Sequence, residues 1–79
     1  MSLQYIPDVI YDAGQTGVGE LVDRLFSKLE KLNSGQIIEV ISNVPLVSED
    51  LPTWIKIQNH TLLDRKDFGG ISYYYIEKR

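Results

Sequence analysis

The residues best placed to do chemistry lie in GQTGVGE (residues 14–20), between VIYDA and LVDRLFSKLEKL. Gly14-x4-Gly19 has the glycine spacing of a P-loop. In a P-loop, backbone N–H groups cradle phosphate, a following Lys neutralises it and a Ser/Thr hydroxyl holds Mg²⁺. Here Glu20 and Leu21 stand at those two places, so a carboxylate would repel the phosphate and nothing would hold the metal. The dinucleotide pattern fails at Val22, where a small residue is required. Asp12 and Glu20 flank the step and could work as a paired acid and base. The plainer assignment gives Asp12 to loop N–H groups and Glu20 to the positive end of a helix. The glycines then only turn the chain into that helix, with Thr16 or Gly17 as N-cap.

Other chemistries close by composition. The chain has no cysteine and one histidine, His60. Disulfides, persulfides and thiolate metal sites are excluded, and little is left for zinc or a Ser–His–Asp arrangement. His60 is expected to be partly buried and hydrogen-bonded to backbone rather than catalytic. No metal ligand set and no cofactor are expected.

These residues need elements to position them, and 79 residues supply one domain spanning 1–79. Eight Lys+Arg against eleven Asp+Glu give a net charge of −3, which argues against nucleic-acid binding. No apolar run approaches the roughly 20 residues of a membrane span, and MSLQYIPD lacks the signature of a signal peptide. A cytoplasmic setting is the expectation.

LQYIPDVIYD reads as a strand, with Pro7 at its start or at a sheet edge. Val18, Leu21, Val22, Leu25, Phe26, Leu29 and Leu32 recur at helical spacing. Arg24, Lys28 and Lys31 lie opposite, among Asp23, Ser27 and Glu30, as a solvated mixed-charge face. Asn33-Ser34-Gly35 ends this helix. QIIEVIS (36–42) has apolar residues on both faces, as an inner strand does, with Ile38 and Val40 on one and Ile37 and Ile41 on the other. A second helix is expected from near Ser48, with Pro52 in its first turn, Leu51, Trp54 and Ile55 inward, and Asn59 as cap. HTLLDRK and GISYYYIEK then form a hairpin across Asp67–Gly70. The order β-α-β-α-β-β predicts an α+β two-layer sandwich, a four-stranded mixed sheet with both helices on one face.

The stretch from DAGQTGVGE to QNHTLL resembles the TusA/SirA family of small sulfur carriers. That family carries an Asp near the end of its first strand, Cys-Pro-x-Pro at the start of the first helix, and a Leu-rich helix ending in Gly. A Glu-Val strand, an Asp-Pro, an Asp-Ile-x-x-Trp/Phe helix and a Gly-His-x-Leu hairpin start follow. Asp12 matches the first Asp; Leu29, Leu32 and Gly35 match the helix end; Glu39-Val40 match the strand. Pro45, Asp50-Leu51-Pro52-Thr53-Trp54 and Asn59-His60-Thr61-Leu62 match the rest, with Asn where the family has Gly. The resemblance implies the same sandwich. It also places the sulfur-accepting Cys on Val18, its two prolines on Gly19 and Leu21, and the Asp of the middle Asp-Pro on Val44. Valine has no lone pair to accept sulfur, so a persulfide relay at this place is excluded.

What the resemblance implies is therefore a non-catalytic scaffold, a pseudo-enzyme that binds a sulfur-relay or other protein. The equivalents of the family's active site (Asp12, Gly17, Val18, Gly19 and Glu20) become a candidate partner surface. Ile37, Ile41, Tyr73, Tyr74 and Tyr75 form a second candidate interface on the open sheet face, suited to a partner or a homodimer. The alternative is a small-anion binder or enzyme using the helix start with Asp12 and Glu20. RNA binding is the weakest reading. The layout is similar to that of the C-terminal domain of translation initiation factor three, but no basic, aromatic-interleaved strand is present.

Overall fold

Alternation along one six-residue strand sets the two layers of the molecule. Ile38, Val40 and Ser42 are buried on one side, whereas Ile37, Glu39 and Ile41 are only half-buried on the other. The computed structural model describes residues 5–79. In chain order the elements are β1 (Val9–Gly14), α1 (Val18–Glu30), β2 (Ile37–Ser42), α2 (Pro45–Ile57), β3 (Thr61–Phe68) and β4 (Ile71–Glu77). The sheet order is β1-β2-β4-β3, with β1 parallel to β2 and β4 antiparallel to both neighbours. This is the expected mixed sheet, and the opening strand is shorter than LQYIPDVIYD suggests; Leu3 and Gln4 lie outside the described residues.

Both helices pack on one face because each offers an apolar stripe one turn apart. Leu21, Leu25 and Leu29 of α1 and Val47, Leu51 and Ile55 of α2 are buried against Tyr11, Ile38, Val40, Tyr74 and Ile76. Phe26 does not join them. It lies about 100° around the helix from Leu25 and is 45% exposed.

The second helix begins a turn earlier than expected. Pro45 takes the first helical position, where a missing N–H is harmless, and Val44 precedes it without a side-chain cap. Ser48 lies inside the helix, its hydroxyl donating to the Pro45 carbonyl at 2.7 Å. Pro52 is consequently interior rather than in the first turn. The helix ends as expected on Asn59, which holds φ 64°. Asn59 N–H donates to the Lys56 carbonyl and His60 N–H to the Ile55 carbonyl, closing the last turn as a Schellman motif.

Among the described residues, the open face of the sheet is covered at one end and bare at the other. Tyr5 packs on Tyr75, ring centroids 6.3 Å apart, and Lys66 Nζ sits 5.6 Å from the Tyr75 ring. Tyr75 is thereby buried. Towards the glycine step, Phe68 and Ile71 stay exposed, and Phe68 meets Tyr73 edge-on at 6.0 Å. The hairpin turns on Gly69 and Gly70, both at positive φ, the backbone that a tight two-residue turn demands.

Candidate functional site

The step from β1 to α1 is built on Gly14. The pairing of β1 with β2 slips between Asp12 and Gly14, and Gly14 takes φ +53°, a conformation that strains any L side chain. Its N–H donates to Asp12 Oδ1 at 3.1 Å, and its carbonyl accepts from Asn43 N–H at 2.9 Å, tying the loop to the end of β2. Asp12 thus satisfies a loop N–H, as the plainer assignment expected. Gly17 is the N-cap of α1 and makes no side-chain cap bond. Neither Gly17 nor Gly19 has positive φ, and a Cβ at either would meet nothing within 4 Å. The turn therefore rests on Gly14.

Two recesses open on opposite sides of this step. Val18, the first residue of α1, is half-buried and lines a groove of about 330 Å³ between the helices, with Val22, Asp50, Thr53, Trp54 and Ile57. Asp12 points to the other side of the sheet. There it borders a recess of about 330 Å³ with Gly14, Ile41, Asn43, Ile71 and Tyr73. Glu20 lies on the outer surface of α1, paired with Arg24 at 2.8 Å. Asp12 and Glu20 are thus engaged separately, and the structure brings no acid–base pair together. Among the described residues no three His, Cys, Asp or Glu side chains are grouped to hold a metal. No described helix is long and apolar enough to cross a membrane.

The open-face candidates divide. Ile37, Ile41 and Tyr73 are half-buried there. Tyr74 corrects the expectation: it lies opposite Val40, faces the helices and is fully buried. Strand alternation puts only Tyr73 and Tyr75 on the open side. Tyr75 lies opposite Glu39; hydrogen bonding to that carboxylate, then burial, push its hydroxyl up to about 12. The Tyr74 and Tyr11 hydroxyls are buried with no hydrogen-bond partner among the described residues.

His60 acts structurally. Its Nδ1 accepts the Arg79 backbone N–H at 3.1 Å. Burial first, then the charges of Lys78 and Arg79, hold its pKa below the ordinary histidine value.

Two features escaped sequence reading. Asp67 Oδ1 accepts from the Ser72 hydroxyl at 2.5 Å and from Arg65 at 3.1 Å; these two donors, Ser72 first, hold its carboxyl below the usual range. The side chains border a recess of about 240 Å³ at the start of α2. The other is the interhelical groove: Trp54 packs against the core as expected and also lines this groove beside the exposed Ile57.

The fold and the loop define a small two-layer α+β domain whose distinctive step leads from the first strand into the first helix. The comparisons make this class specific. The model of the family described as sulfurtransferase TusA matches residues 22–78, well over half of the chain. The sulfur carrier protein TusA of Pseudomonas putida is 29% identical over 75 residues, covering 95% of this chain and 94% of that protein. The putative sulfur carrier protein YrkI of Bacillus subtilis is 32% identical over 71 residues, covering 90% and 95%. This chain belongs to the TusA family. The family model's match begins just after the glycine step, the segment in which this chain departs from Cys-Pro-x-Pro.

Proposed function

We propose that this protein is a sulfur-free member of the TusA family, which binds a sulfur-relay protein without carrying sulfur itself. The observation that carries the reading is Val18. It stands at the first position of α1 on an intact family fold, in a chain without cysteine. A relay needs a thiolate that can attack and then be attacked; an isopropyl group does neither. The proposed contact surface is the glycine step with the first turn of α1, together with the bare end of the open face around Ile41, Tyr73 and Ile71. A second copy of the chain seated on that open face is the competing occupant. The relatives' names, both sulfur carriers, support a partner drawn from sulfur relay.

The test has two parts. Incubation with a low-molecular-weight persulfide donor, followed by intact mass, is expected to show no added sulfur. Titration against a Cys-bearing TusA-family carrier from the same organism is expected to show saturable association, measured by sedimentation. A stable adduct of one sulfur atom, or failure to associate while self-dimerising, overturns the reading.

A further inference from the structure

We infer that the open face of the sheet is a docking site for a basic segment of a partner protein, with one arginine seated in the recess beside Asp12. This rests on the reading of the chain as a protein-binding module and adds the chemistry of the partner.

Strand register sorts the charged residues between the two sides of the molecule. Asp12, Glu39, Asp64 and Glu77 fall on the open face, in the alternation that puts Ile41, Tyr73 and Tyr75 there. Lys66 is the one cation that this register sets among them, and its Nζ lies towards the covered end, 5.6 Å from the Tyr75 ring. The helix side is balanced. α1 with its C-cap Lys31 and α2 hold five acids and four bases. Arg65, Asp67 and Lys78, on the sheet beneath, bring each sign to six. Asp8, bound to the start of β2, and Arg79, bound to His60, offset each other at the far end of the sheet. Residues 1–4 bear no charged side chain. The net charge of −3 is therefore the charge of the open face. Both ion pairs among the described residues, Glu20–Arg24 and Arg65–Asp67, belong to the helix side.

The bare end of the face supplies the anchor point. Asp12 is the one charged residue bordering the recess of about 330 Å³, and Ile41, Ile71 and Tyr73 are its apolar walls. Gly14 N–H holds Asp12 Oδ1 at 3.1 Å, so the carboxylate is fixed in place and still has acceptor positions to offer. A carboxylate beside aliphatic and aromatic walls suits arginine in two ways. The methylene stem packs on the aliphatic side chains. The planar guanidinium stacks on a tyrosine ring while donating to the carboxylate. Glu39 and Asp64, on either side of Tyr75 in the register, extend the same preference across the sheet and attract a basic segment from a distance.

The same charge decides among occupants. A second copy seated on this face by two-fold symmetry would set carboxylates against carboxylates, with one lysine from each side to offset them. A nucleic acid meets the same repulsion. A partner presenting arginine and lysine matches the carboxylates and covers Ile71 and Phe68, the latter 64% exposed.

The test uses the full chain and two short synthetic peptides. One alternates Arg with Leu; in the other every Arg is replaced by citrulline, its neutral isostere. Backbone amide shifts in NMR locate the contact. The Arg peptide is expected to shift Ile41, Ile71 and Tyr73 and to bind roughly tenfold more tightly than the citrulline peptide, with the advantage shrinking as salt rises. Asp12→Asn keeps an oxygen for Gly14 N–H, so it removes the charge and spares the loop; it is expected to weaken the Arg peptide roughly tenfold. Glu49→Gln on α2 is expected to leave the affinity unchanged. Circular dichroism checks each variant for folding, and Glu39→Gln with Asp64→Asn lowers the charge of the same face without touching the loop. Equal affinity for the two peptides, binding of neither, shifts confined to the helices, or full affinity in both open-face variants overturns the inference. So does a wild-type dimer that Ile71→Lys dissociates. If the Cys-bearing carrier associates while the Arg peptide fails, the open face falls alone; if the Arg peptide docks there and the carrier does not associate, the sulfur-relay reading falls alone.

Discussion

The groove between α1 and α2 and the recess on the open sheet face start from the same loop, yet they are built differently. The first is made of side chains from two helices, with Val18 at its head and Asp50 in its lining. The second is made of a strand irregularity, Asp12 bound to Gly14 N–H, and an aromatic hairpin. The family's chemistry would sit on the first side only. Replacing its sulfur by an isopropyl group changes the helix side and leaves Asp12 and its loop bond intact. On the proposed reading, sulfur chemistry is lost on the helix side while the Asp12 loop bond is untouched.

Substitutions on each side sharpen this contrast. The largest expected effect is Leu51→Ala, under the groove. Leu51 is fully buried, and its truncation should cost about 2–5 kcal/mol in urea unfolding. Ile71→Ala, on the open recess, should cost under about 1 kcal/mol. Similar losses at the two would mean that the open face is covered.

Within the glycine step the expected signs are opposite. Gly14→Ala forces a Cβ into a left-handed backbone and should destabilise by about 1–2 kcal/mol. Gly19→Ala adds a methyl into open space in the first turn of α1 and should stabilise by up to about 1 kcal/mol. Thermal melts of the pair decide it; a loss at Gly19 would reveal a contact that the fold does not show.

Val18→Cys asks what the helix start can still do. A thiol at the first position of α1, beside N–H groups with no side-chain cap, should titrate below about 8.5. The pH dependence of its reaction with a disulfide reagent measures this. An ordinary or raised value would mean that Glu20 outweighs the helix end.

At neutral pH the least visible effect is one that emerges in alkali, at the covered end of the open face. The Tyr75 hydroxyl is raised to about 12 in the folded state, so its neutral form is favoured by folding. Its stabilising share is complete below the unfolded value of about 10 and is lost as pH rises towards the folded value. Tyr75→Phe should flatten that limb of a pH-dependent unfolding curve; an unchanged limb would place the alkaline sensitivity elsewhere.

Periodicity made most of the fold legible. The Leu21, Leu25, Leu29 stripe, the two-faced β2 and the glycine turn of the hairpin each carry a local signature. The start of α2 does not, because Val44 and Pro45 begin it by shape rather than by a capping side chain. Tyr75 was readable as facing the open side only by knowing its register, and its cover, Tyr5, comes from seventy positions away in sequence. The site was half legible. Val18 could be named from the family pattern and Asp12 from its loop, whereas the groove exists only once two helices lie side by side.

Sheet order carries one more consequence. β4 follows β2 and β3 in the chain, yet it lies between them in the sheet. During synthesis, then, β3 has no strand partner, and β2 only β1, until Ile71–Glu77 has left the ribosome. A chain interrupted after Phe68 would leave one edge of β2 and the whole of β3 unpaired, an invitation to clump rather than to persist as a partly working fragment.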